Sequence, residues 1–531
     1  MGAQVRRFVK NALVMVAASL LMRTVSVSAG AFFSRSLGEE GMGLYMLIMS
    51  VYGFAVTFAT SGVHLAVTRT VSEAEARGDT AGAHRYMRHA FLYALLFSSV
   101  ATAALVGLAP VIGTGLLKDA RTVRAVRMLG LSMIPLALST VCNGYFTARR
   151  RVSYNAAAQV LGQAVSIGSA VWLLGRLLPQ GIEYGALAIV LGGVLSEGAQ
   201  LVLVGVAYLA DRRRQGYAAE PRLDPRAAGE LCAISLPVAF SAYIRSGLLT
   251  VEHALIPTSI QKSGRTRAEA LADYGALSGM AIPTVLFPTA ILYAISGLII
   301  PEFAQRHATG KKEEIRALCD TTLRLTALFA FGCGAVLVTC SDSLGRMLYQ
   351  SPTVGAYICA LAPVLPLMFL DHMTDCMLKG LGEQVWTMWV NIIDAVASIL
   401  LVMLLLPTMG ARGYILVILL AEAFNFSLSF GRLLWKVGYR PRLWHLAVSP
   451  LVSAAAAFGM TSLAMPVESV SPAAVWAVAR GVFCLCIYLG VALLLSGGVH
   501  PRAMARGLEG RRGVPLTASG AMPSGRIGKK L

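Results

Sequence analysis

The sequence predicts an all-α membrane protein of about 14 transmembrane helices, arranged as two pseudo-symmetric six-helix lobes plus two extra helices. Three observations support this prediction. Only 14% of the 531 residues are charged and 56% are hydrophobic, whereas a soluble domain carries about 25% charged residues. The apolar residues form runs of about 20, the length that a helix needs to cross a bilayer. Basic residues are concentrated in alternate loops, and the two halves resemble each other.

The predicted transmembrane spans follow one another with short loops between them. They lie near 10–33, 42–67, 89–113, 125–147, 154–178, 185–209, 231–256, 274–300, 320–341, 355–378, 386–406, 411–434, 445–465 and 474–496. Several spans contain prolines, which free backbone carbonyls and allow a membrane helix to bend. These prolines are Pro237, Pro283, Pro288, Pro363 and Pro366.

Charge sets the predicted orientation. The net charge of +19 lies in short loops rather than in one patch, so it indicates membrane topology and not a nucleic-acid partner. One set of alternate loops carries 31 Lys and Arg residues and the other carries 12. The positive-inside rule therefore places both termini in the cytoplasm of a multi-pass protein of the bacterial plasma membrane. The loop at 114–124 is basic on the wrong side, and an interfacial helix there would explain this.

An internal repeat relates the two halves. A shift of 229 aligns Tyr45 with Tyr274, and a shift of 222, after removal of seven extra loop residues, aligns Arg23 with Arg245. Six spans separate the halves, so the repeat is parallel about an axis along the membrane normal. The predicted units are an N-lobe at 1–209, a cytoplasmic linker at 210–230, a C-lobe at 231–444, the extra spans at 445–500 and a basic tail at 501–531.

Two arginines lie deep in apolar spans and are the candidate substrate-binding residues. Arg23 lies in the first span and Arg245 in the seventh. A guanidinium inside the bilayer costs about 2.5 kcal/mol or more, keeps its charge at any ordinary pH, and binds phosphate oxygens through paired hydrogen bonds. We expect both to face an anionic cargo in a cavity between the lobes. The structural alternative is that Arg245 pairs with Glu252 and that Arg23 pairs with an acid such as Glu197.

Acidic side chains within the spans are candidates for coupling transport to H⁺ or Na⁺. Glu252 and His253 are adjacent, and a histidine beside an acid can titrate near neutral pH. Asp371 and Asp375 are one helical turn apart and share a face. The alternative is that these acids form salt bridges or lie at the water boundary.

Charged pairs near predicted cytoplasmic helix ends are candidates for a gate or a latch between the lobes. Arg69, Glu73 and Arg77 follow the second span, and Glu302 and Arg306 occupy the corresponding place in the second half. The spacing of four residues places each pair on one helix face. The alternative is an ordinary solvated helix end.

The sequence favours a transporter over an enzyme. It contains no phosphate-binding GxxxxGK loop, no GxSxG and no HExxH, and its loops are short. The nine cysteines show no metal-ligand spacing. We therefore expect no catalytic site, no metal and no cofactor, and a coupling to the membrane potential or to an ion in place of ATP.

Two stretches carry a family resemblance. SRSLGEEGMGLYMLIMSVYGFAVTFATSGVHLAVTRTVSE (34–73) and ADYGALSGMAIPTVLFPTAILYAISGLIIPEFAQ, within 253–305, resemble corresponding spans of the stage V sporulation protein B and polysaccharide-biosynthesis family. That family belongs to the multidrug/oligosaccharidyl-lipid/polysaccharide flippase superfamily. The resemblance implies fourteen helices in two lobes, no ATPase and export of lipid-linked sugars. It also implies arginines in a central cavity, at positions that Arg23 and Arg245 match loosely.

The resemblance and the arginines together favour a flippase for an undecaprenyl-pyrophosphate-linked wall precursor or another lipid-linked oligosaccharide, with a role in spore cortex synthesis as one setting. The expected partners are the lipid-linked sugar pyrophosphate, membrane lipids and wall-synthesis enzymes. Two alternatives stay open. A cation-coupled multidrug exporter of the same superfamily would favour an acid in the first span, and a non-transporting scaffold for wall synthesis would tolerate loss of both arginines.

Overall fold

The computed structural model describes residues 3–214, 224–465 and 473–495, and every regular element in these ranges is helical. The tail at 501–531 and part of the linker at 210–230 lie outside the described residues. The first half contains α1 (Ala3–Thr60), α2 (Val63–Ala76), α3 (Thr80–Gly107), α4 (Thr122–Ala148), α5 (Ser153–Leu177) and α6 (Ile182–Arg214). The second half contains α7 (Pro225–Gln261), α8 (Arg267–Tyr274), α9 (Ile282–Val285), α10 (Thr289–Ala308), α11 (Lys312–Tyr349), α12 (Pro352–Leu361), α13 (Leu365–Gly380), α14 (Gln384–Met409) and α15 (Ala411–Val437), and it is followed by α16 (Ser449–Ala464) and α17 (Ala473–Leu495).

Helix α1 is interrupted at Gly38, whose φ of 71° and ψ of −178° are not helical. This backbone conformation is open to glycine almost alone, because a Cβ would clash with the main chain. The candidate span Leu20–Ala76, which includes most of α1 and all of α2, has 57 residues and would be about 85 Å long as one straight helix. That length far exceeds the bilayer core of about 30 Å, and the break falls between the first two spans that the sequence predicts.

The predicted count of fourteen spans is not confirmed. Twelve helices of the described residues are long and apolar enough to cross a membrane, or thirteen with one bent pair. Leu20–Ala76 contributes only one to this count, although it covers most of two predicted spans. The predicted helical membrane architecture itself is confirmed.

The bent pair is the predicted eighth span. Helices α8 and α9, joined by the π-helical turn Gly275–Ala281, meet α10 at an angle of 57°. Pro283 and Pro288 flank the break, as expected for prolines that interrupt a membrane helix. Leu286 lies within the break, and its carbonyl accepts hydrogen bonds from the Thr289 amide at 3.1 Å and the Thr289 hydroxyl at 2.6 Å.

Each half packs around a central helix. Helix α4 contacts α2, α3 and α6 in the N-lobe, and α11 contacts α12 and α13 in the C-lobe. A single large apolar core crosses from one half to the other and includes Leu44, Leu47, Leu277 and Leu365. The pair α16 and α17 packs on α11, where the Tyr488 hydroxyl donates to the Leu328 carbonyl at 2.7 Å.

The expectation of an interfacial helix at 114–124 is wrong. The π-helical turn Val111–Leu116 is followed by a short loop, and α4 begins at Thr122. Arg121 is held in this loop by Asp119 at 2.9 Å and by Glu40 at 2.8 Å. Its charge is therefore neutralised by two acids of the same half rather than spread along an amphipathic helix.

Candidate functional site

A cavity of about 560 Å³ lies between the two halves of the chain. Most of its wall comes from α1, α4, α5 and α6 of the N-lobe, and the remainder from Gly279, Pro283 and Tyr349 of the second half. The broken eighth span therefore forms part of the wall, since Gly279 lies in its π-helical turn and Pro283 in α9. A two-lobed transporter is expected to bind its cargo in a large site lined by both halves.

Arg23 lines this cavity, as the sequence predicts for a substrate-binding arginine. One terminal nitrogen of its guanidinium donates to the Leu286 carbonyl at 3.4 Å, which joins the first span to the break in the eighth. Its Nε is buried and has no hydrogen-bond partner in the described residues. A buried charged donor without a partner is costly, so this atom is available to an incoming acceptor.

Neutral polar side chains cover the N-lobe face of the cavity. Three glutamines, four serines and two tyrosines lie along it: Gln159, Gln163, Gln200, Ser26, Ser132, Ser166, Ser196, Tyr45 and Tyr52. Glu197 is the acid of this wall, and Tyr52 is within hydrogen-bonding reach of it. Amides and hydroxyls both donate and accept hydrogen bonds, which suits a ligand rich in hydroxyl groups. Sequence reasoning did not identify the glutamines, because their positions on one face of α5 and α6 only matter once the lobes are assembled.

Arg245 does not line the same cavity as Arg23. It lies on α7, it is exposed in the described chain, and it interacts electrostatically with Asp394 on α14. The structure therefore does not bring the two arginines together in one cavity. The expected pairing of Arg245 with Glu252 is also absent from the ion pairs of the described residues, because Glu252 accepts instead from the Ser398 hydroxyl at 2.5 Å.

The C-lobe contains a set of acids that we call the carboxylate cluster: Glu252, Asp371, Asp375, Asp394 and Glu422. Electrostatic interactions link Glu252 to Asp394, Asp394 to Glu422, and Glu422 to Asp371. The cluster includes three of the four predicted coupling positions, Glu252, Asp371 and Asp375. The other two members, Asp394 and Glu422, lie on α14 and α15. The sequence alone could not predict that these helices pack beside α13.

Asp371 and Asp375 face α15, which places two polar residues, also four positions apart, in hydrogen-bonding contact with them. The Asn425 amide donates to Asp371 Oδ2 at 3.3 Å, and the Ser429 hydroxyl donates to Asp375 Oδ1 at 3.3 Å. Asp371 Oδ1 and Asp394 Oδ1 are buried without a hydrogen-bond partner in the described residues. Buried carboxylate oxygens of this kind favour binding of a proton or a cation.

His253 follows Glu252 of the carboxylate cluster, and its ring contacts a tyrosine. Its Nδ1 is 2.9 Å from the Tyr274 hydroxyl, at the end of α8. His372, beside Asp371, contacts the Tyr293 ring with centroids 4.7 Å apart. Among the described residues no three His, Cys, Asp or Glu side chains are arranged to hold a metal ion.

The five charged residues predicted as a gate pair with one another at a spacing of four residues, and Arg306 also pairs with Glu314 on α11 at 3.8 Å. Arg69 and Glu73 are 2.8 Å apart, Arg77 and Glu73 are 3.6 Å apart, and Arg306 and Glu302 are 2.9 Å apart. Arg69, Glu73 and Arg77 are largely exposed, with side-chain exposures of 62%, 48% and 68%. None of these three ion pairs joins the two halves, so the latch assignment stays a prediction without support from these contacts.

The halves meet elsewhere, along a surface that we call the Gly43–Gly275 seam: residues 35–43 and 117–121 against 267–275 and 347–351. A Cβ on Gly43 would lie 2.0 Å from the Leu271 carbonyl oxygen, so the two backbones are in direct contact. Arg35 Nε donates to the Leu348 carbonyl at 2.7 Å, and Arg267 donates to the Leu117 carbonyl at 2.7 Å. The seam closes one end of the interface, the outer end in the predicted topology.

Helix α7 forms a second contact between the halves. The Thr250 hydroxyl donates to the Ser50 carbonyl at 2.9 Å, Thr57 and Ser246 are 3.3 Å apart, and Tyr243 bonds to Ser61. These contacts follow α1 from the level of the cavity to its end. The interface is therefore held by neutral hydrogen bonds along α7 and by charged side chains at the seam.

Comparison with known proteins assigns the chain to a family. Residues 8–307 match the family described as polysaccharide biosynthesis protein, and residues 261–404 match the MatE family. Stage V sporulation protein B of Bacillus subtilis (strain 168) is 26% identical over 420 residues, which cover 77% of this chain and 80% of the relative. Lipid II flippase MurJ of the same organism is 22% identical over 424 residues, covering 72% and 74%.

Solved structures with the same fold include transporters and a flippase. The inward closed conformation of lipid II flippase MurJ superposes with a TM-score of 0.69 at 11% identity, over 91% of this chain and 99% of that one. The inward-facing conformation of a multidrug resistance MATE family transporter of the MOP superfamily gives 0.62 at 14% identity, over 80% and 97%. Identities this low establish the fold alone. The family match, the curated relatives and the shared fold together show that the chain is a multi-pass membrane transporter and not an enzyme. The chain belongs to the polysaccharide biosynthesis protein family of the multidrug/oligosaccharidyl-lipid/polysaccharide flippase superfamily.

Proposed function

We propose that the protein flips an undecaprenyl-pyrophosphate-linked wall precursor, or another lipid-linked oligosaccharide, across the plasma membrane by alternating access. The observation that carries the proposal is Arg23, which lies in the cavity between the halves with a buried Nε that has no partner in the described chain. An anionic pyrophosphate would satisfy this donor and neutralise its charge. The relatives named for sporulation and for lipid II flipping are consistent with a cargo of this class.

The neutral wall of the cavity suits the sugar part of such a cargo. Gln159, Gln163 and Gln200 present amides, and the serines present hydroxyls, on the N-lobe side opposite the broken eighth span. Each group can donate to or accept from a sugar hydroxyl without adding charge. A pyrophosphate beside Arg23 and a glycan along the glutamines would occupy the two chemically distinct parts of one cavity.

The contact between Arg23 and Leu286 suggests how cargo binding would change the arrangement of the two lobes. Arg23 donates to a carbonyl in the break of the eighth span at 3.4 Å, a long hydrogen bond. A phosphate bound to the guanidinium would compete with this carbonyl. We propose that cargo binding releases the first span from the break and thereby favours the alternative arrangement of the halves.

A reconstituted flipping assay tests the proposal. Proteoliposomes carrying lipid II, another undecaprenyl-pyrophosphate glycan or a cationic dye are compared for the wild type, Arg23→Gln and Arg23→Lys. We expect Arg23→Gln to lower flipping of the pyrophosphate lipid at least tenfold, and Arg23→Lys to retain part of it, because lysine keeps the charge and loses the paired geometry. Arg440→Gln, an exposed loop arginine, is the matched control.

The other outcomes separate the alternatives. Transport of the cationic dye that survives Arg23→Gln, with no flipping of the lipid by the wild type, would indicate a multidrug exporter. Full flipping by Arg23→Gln would overturn the assignment of the cargo to this cavity. A scaffold would flip nothing in proteoliposomes and would instead retain wall-synthesis enzymes in pull-down experiments.

We also propose that the carboxylate cluster couples transport to H⁺ or Na⁺. Its buried oxygens on Asp371 and Asp394 lack partners in the described chain, and Arg245 acts on Asp394 from α7. We therefore assign Arg245 to this cluster rather than to the cargo cavity. Asp394→Asn and Glu252→Gln are expected to reduce flipping driven by an imposed ion gradient several-fold and to spare exchange without a gradient. An equal loss of both would contradict coupling at the cluster.

A further inference from the structure

A second cavity, which we call the α3–α6 groove, lies on the outside of the N-lobe and has a volume of about 520 Å³. Helices α3 and α6 both pack on α4, and Leu138 and Cys142 of α4 line the groove between them. The Phe91 and Tyr208 rings, with centroids 5.5 Å apart, connect the two helices. The groove and the cavity of Arg23 share no lining residue, so this groove is a separate site.

The walls of the groove are apolar and open toward the surroundings of the lobe. Leu92, Leu95 and Leu209 are 48%, 43% and 52% exposed, which in a membrane helix means contact with lipid. A Cβ on Gly205 would have no other atom within 4 Å, so the groove is empty at that point. A concave apolar surface of this kind fits a flexible hydrocarbon chain.

One end of the groove is basic. Its lining there includes His84 and Arg88 near the start of α3 and Arg212 near the end of α6. The lining contains no acidic residue. Asp211, the neighbour of Arg212 in the chain, does not line the groove and is paired with Arg151 at 2.7 Å and with Arg149. The positive end lies on the predicted cytoplasmic side, where the membrane surface carries anionic lipids.

We propose that the α3–α6 groove binds an anionic glycerophospholipid of the cytoplasmic leaflet. One acyl chain lies between Leu92, Leu95 and Leu209, and the phosphate is held by the guanidiniums of Arg88 and Arg212. Paired guanidinium hydrogen bonds select a phosphate whose charge is not cancelled by a headgroup amine. The separation from the cavity of Arg23 assigns the groove to a membrane lipid and not to the transported cargo.

Native mass spectrometry of the full chain in detergent tests this site. The protein is incubated with equal amounts of phosphatidylglycerol and phosphatidylcholine, and the retained lipid is measured. We expect the wild type to retain phosphatidylglycerol at least fivefold over phosphatidylcholine, and Arg88→Gln with Arg212→Gln to lose this preference. Gly205→Leu should block binding of both lipids by filling the groove.

The control for Gly205→Leu lies on the same helix. A Cβ on Gly198 also has no other atom within 4 Å, and Gly198 lines neither cavity, so Gly198→Leu should retain phosphatidylglycerol as the wild type does. Equal retention of the two lipids by the wild type, or unchanged retention by Gly205→Leu, would overturn the proposal. Displacement of phosphatidylglycerol by undecaprenyl phosphate would also overturn it, since the groove would then belong to the cargo. If the arginine variants do not fold, the comparison of Gly205→Leu with Gly198→Leu still tests whether the groove binds the lipid.

Discussion

Gly43 and Gly275 meet across the interface of the two halves so closely that a Cβ on Gly275 would lie 2.4 Å from the Gly43 nitrogen. It would also lie 2.1 Å from the Glu39 carbonyl oxygen. Both contacts are with backbone, which cannot rotate away as a side chain can. Closure of the seam therefore depends on the absence of a side chain at position 275.

Gly275→Ala should prevent complete closure of the seam. Overpacking of a close contact costs about 1–3 kcal/mol, enough to shift the balance of the two arrangements by about fivefold or more. The measurement is disulfide formation between Glu39→Cys and Ser351→Cys, followed by mass spectrometry in a background without native cysteines, because these side chains are hydrogen-bonded at 2.5 Å when the seam is closed. Gly53→Ala, on α1 and in open space, should leave the yield unchanged. Equal yields for both variants would show that the seam tolerates a Cβ.

Asp119 should stabilise the seam through charge. Burial opposes its ionisation, but hydrogen bonds from Arg121 and the charges of Arg121 and Arg267 hold the pKa of its carboxyl below the usual 3.8. A carboxylate with a lowered pKa contributes stability that is fully present above about pH 5 and is lost as pH falls through the lowered pKa. Asp119→Asn is therefore expected to reduce the same disulfide yield severalfold at pH 7. The ratio of the yield with Asp119 to the yield with Asp119→Asn, taken at each pH so that the pH dependence of thiol oxidation cancels, should fall only below about pH 4.

The sign of the pH effect provides the check on this prediction. If the ratio of the yield with Asp119 to the yield with Asp119→Asn fell as pH rose from about 5 to 8, Asp119 would not be the group responsible. Glu183→Gln, an acid at the start of α6 that is outside the seam, is the matched control and should leave both the yield and its pH dependence unchanged.

The hydrogen bond between Asn425 and Asp371 should contribute to stability because both groups are buried. Asp371 Oδ1 already lacks a partner in the described residues, and Asn425→Ala would remove the partner of Oδ2. Loss of a partner by a buried carboxylate costs about 1–3 kcal/mol, which thermal unfolding in detergent would detect as a lowered Tm. Adding Asp371→Leu to Asn425→Ala should recover part of the loss. A double variant less stable than Asn425→Ala would contradict this account.

Tyr488 should anchor the last helix to the C-lobe. A Cβ on Gly332 of α11 would lie 2.8 Å from the Tyr488 ring, so Gly332→Ala is expected to push α17 away and lower the Tm. Tyr488→Phe removes only the hydroxyl that donates to Leu328 and should cost about 1 kcal/mol. Gly297→Ala, in open space on α10, is the control. If Gly332→Ala lowers the Tm no more than Gly297→Ala does, α17 is not packed on α11 as described.

The sequence predicted much of the fold because a bilayer imposes simple requirements. Runs of about 20 apolar residues must be helices there, since backbone groups find no water to bond. Pro283 and Pro288 correctly indicated a bent span, because proline removes an amide donor. Arg23 was a justified candidate for the cavity, since an arginine inside a span needs a polar surrounding.

What the sequence alone determined is the membrane class, the approximate places of the spans and the identity of the costly buried charges. The tertiary structure decided which of these charges share a space. It placed Arg23 in the cavity between the halves and Arg245 near Asp394, although the predicted repeat would make the two positions equivalent. It also brought Asp394 and Glu422 to Asp371 and placed Gly43 against Gly275. Such neighbours depend on how helices rotate and cross in packing, and hydropathy constrains only where each helix begins and ends.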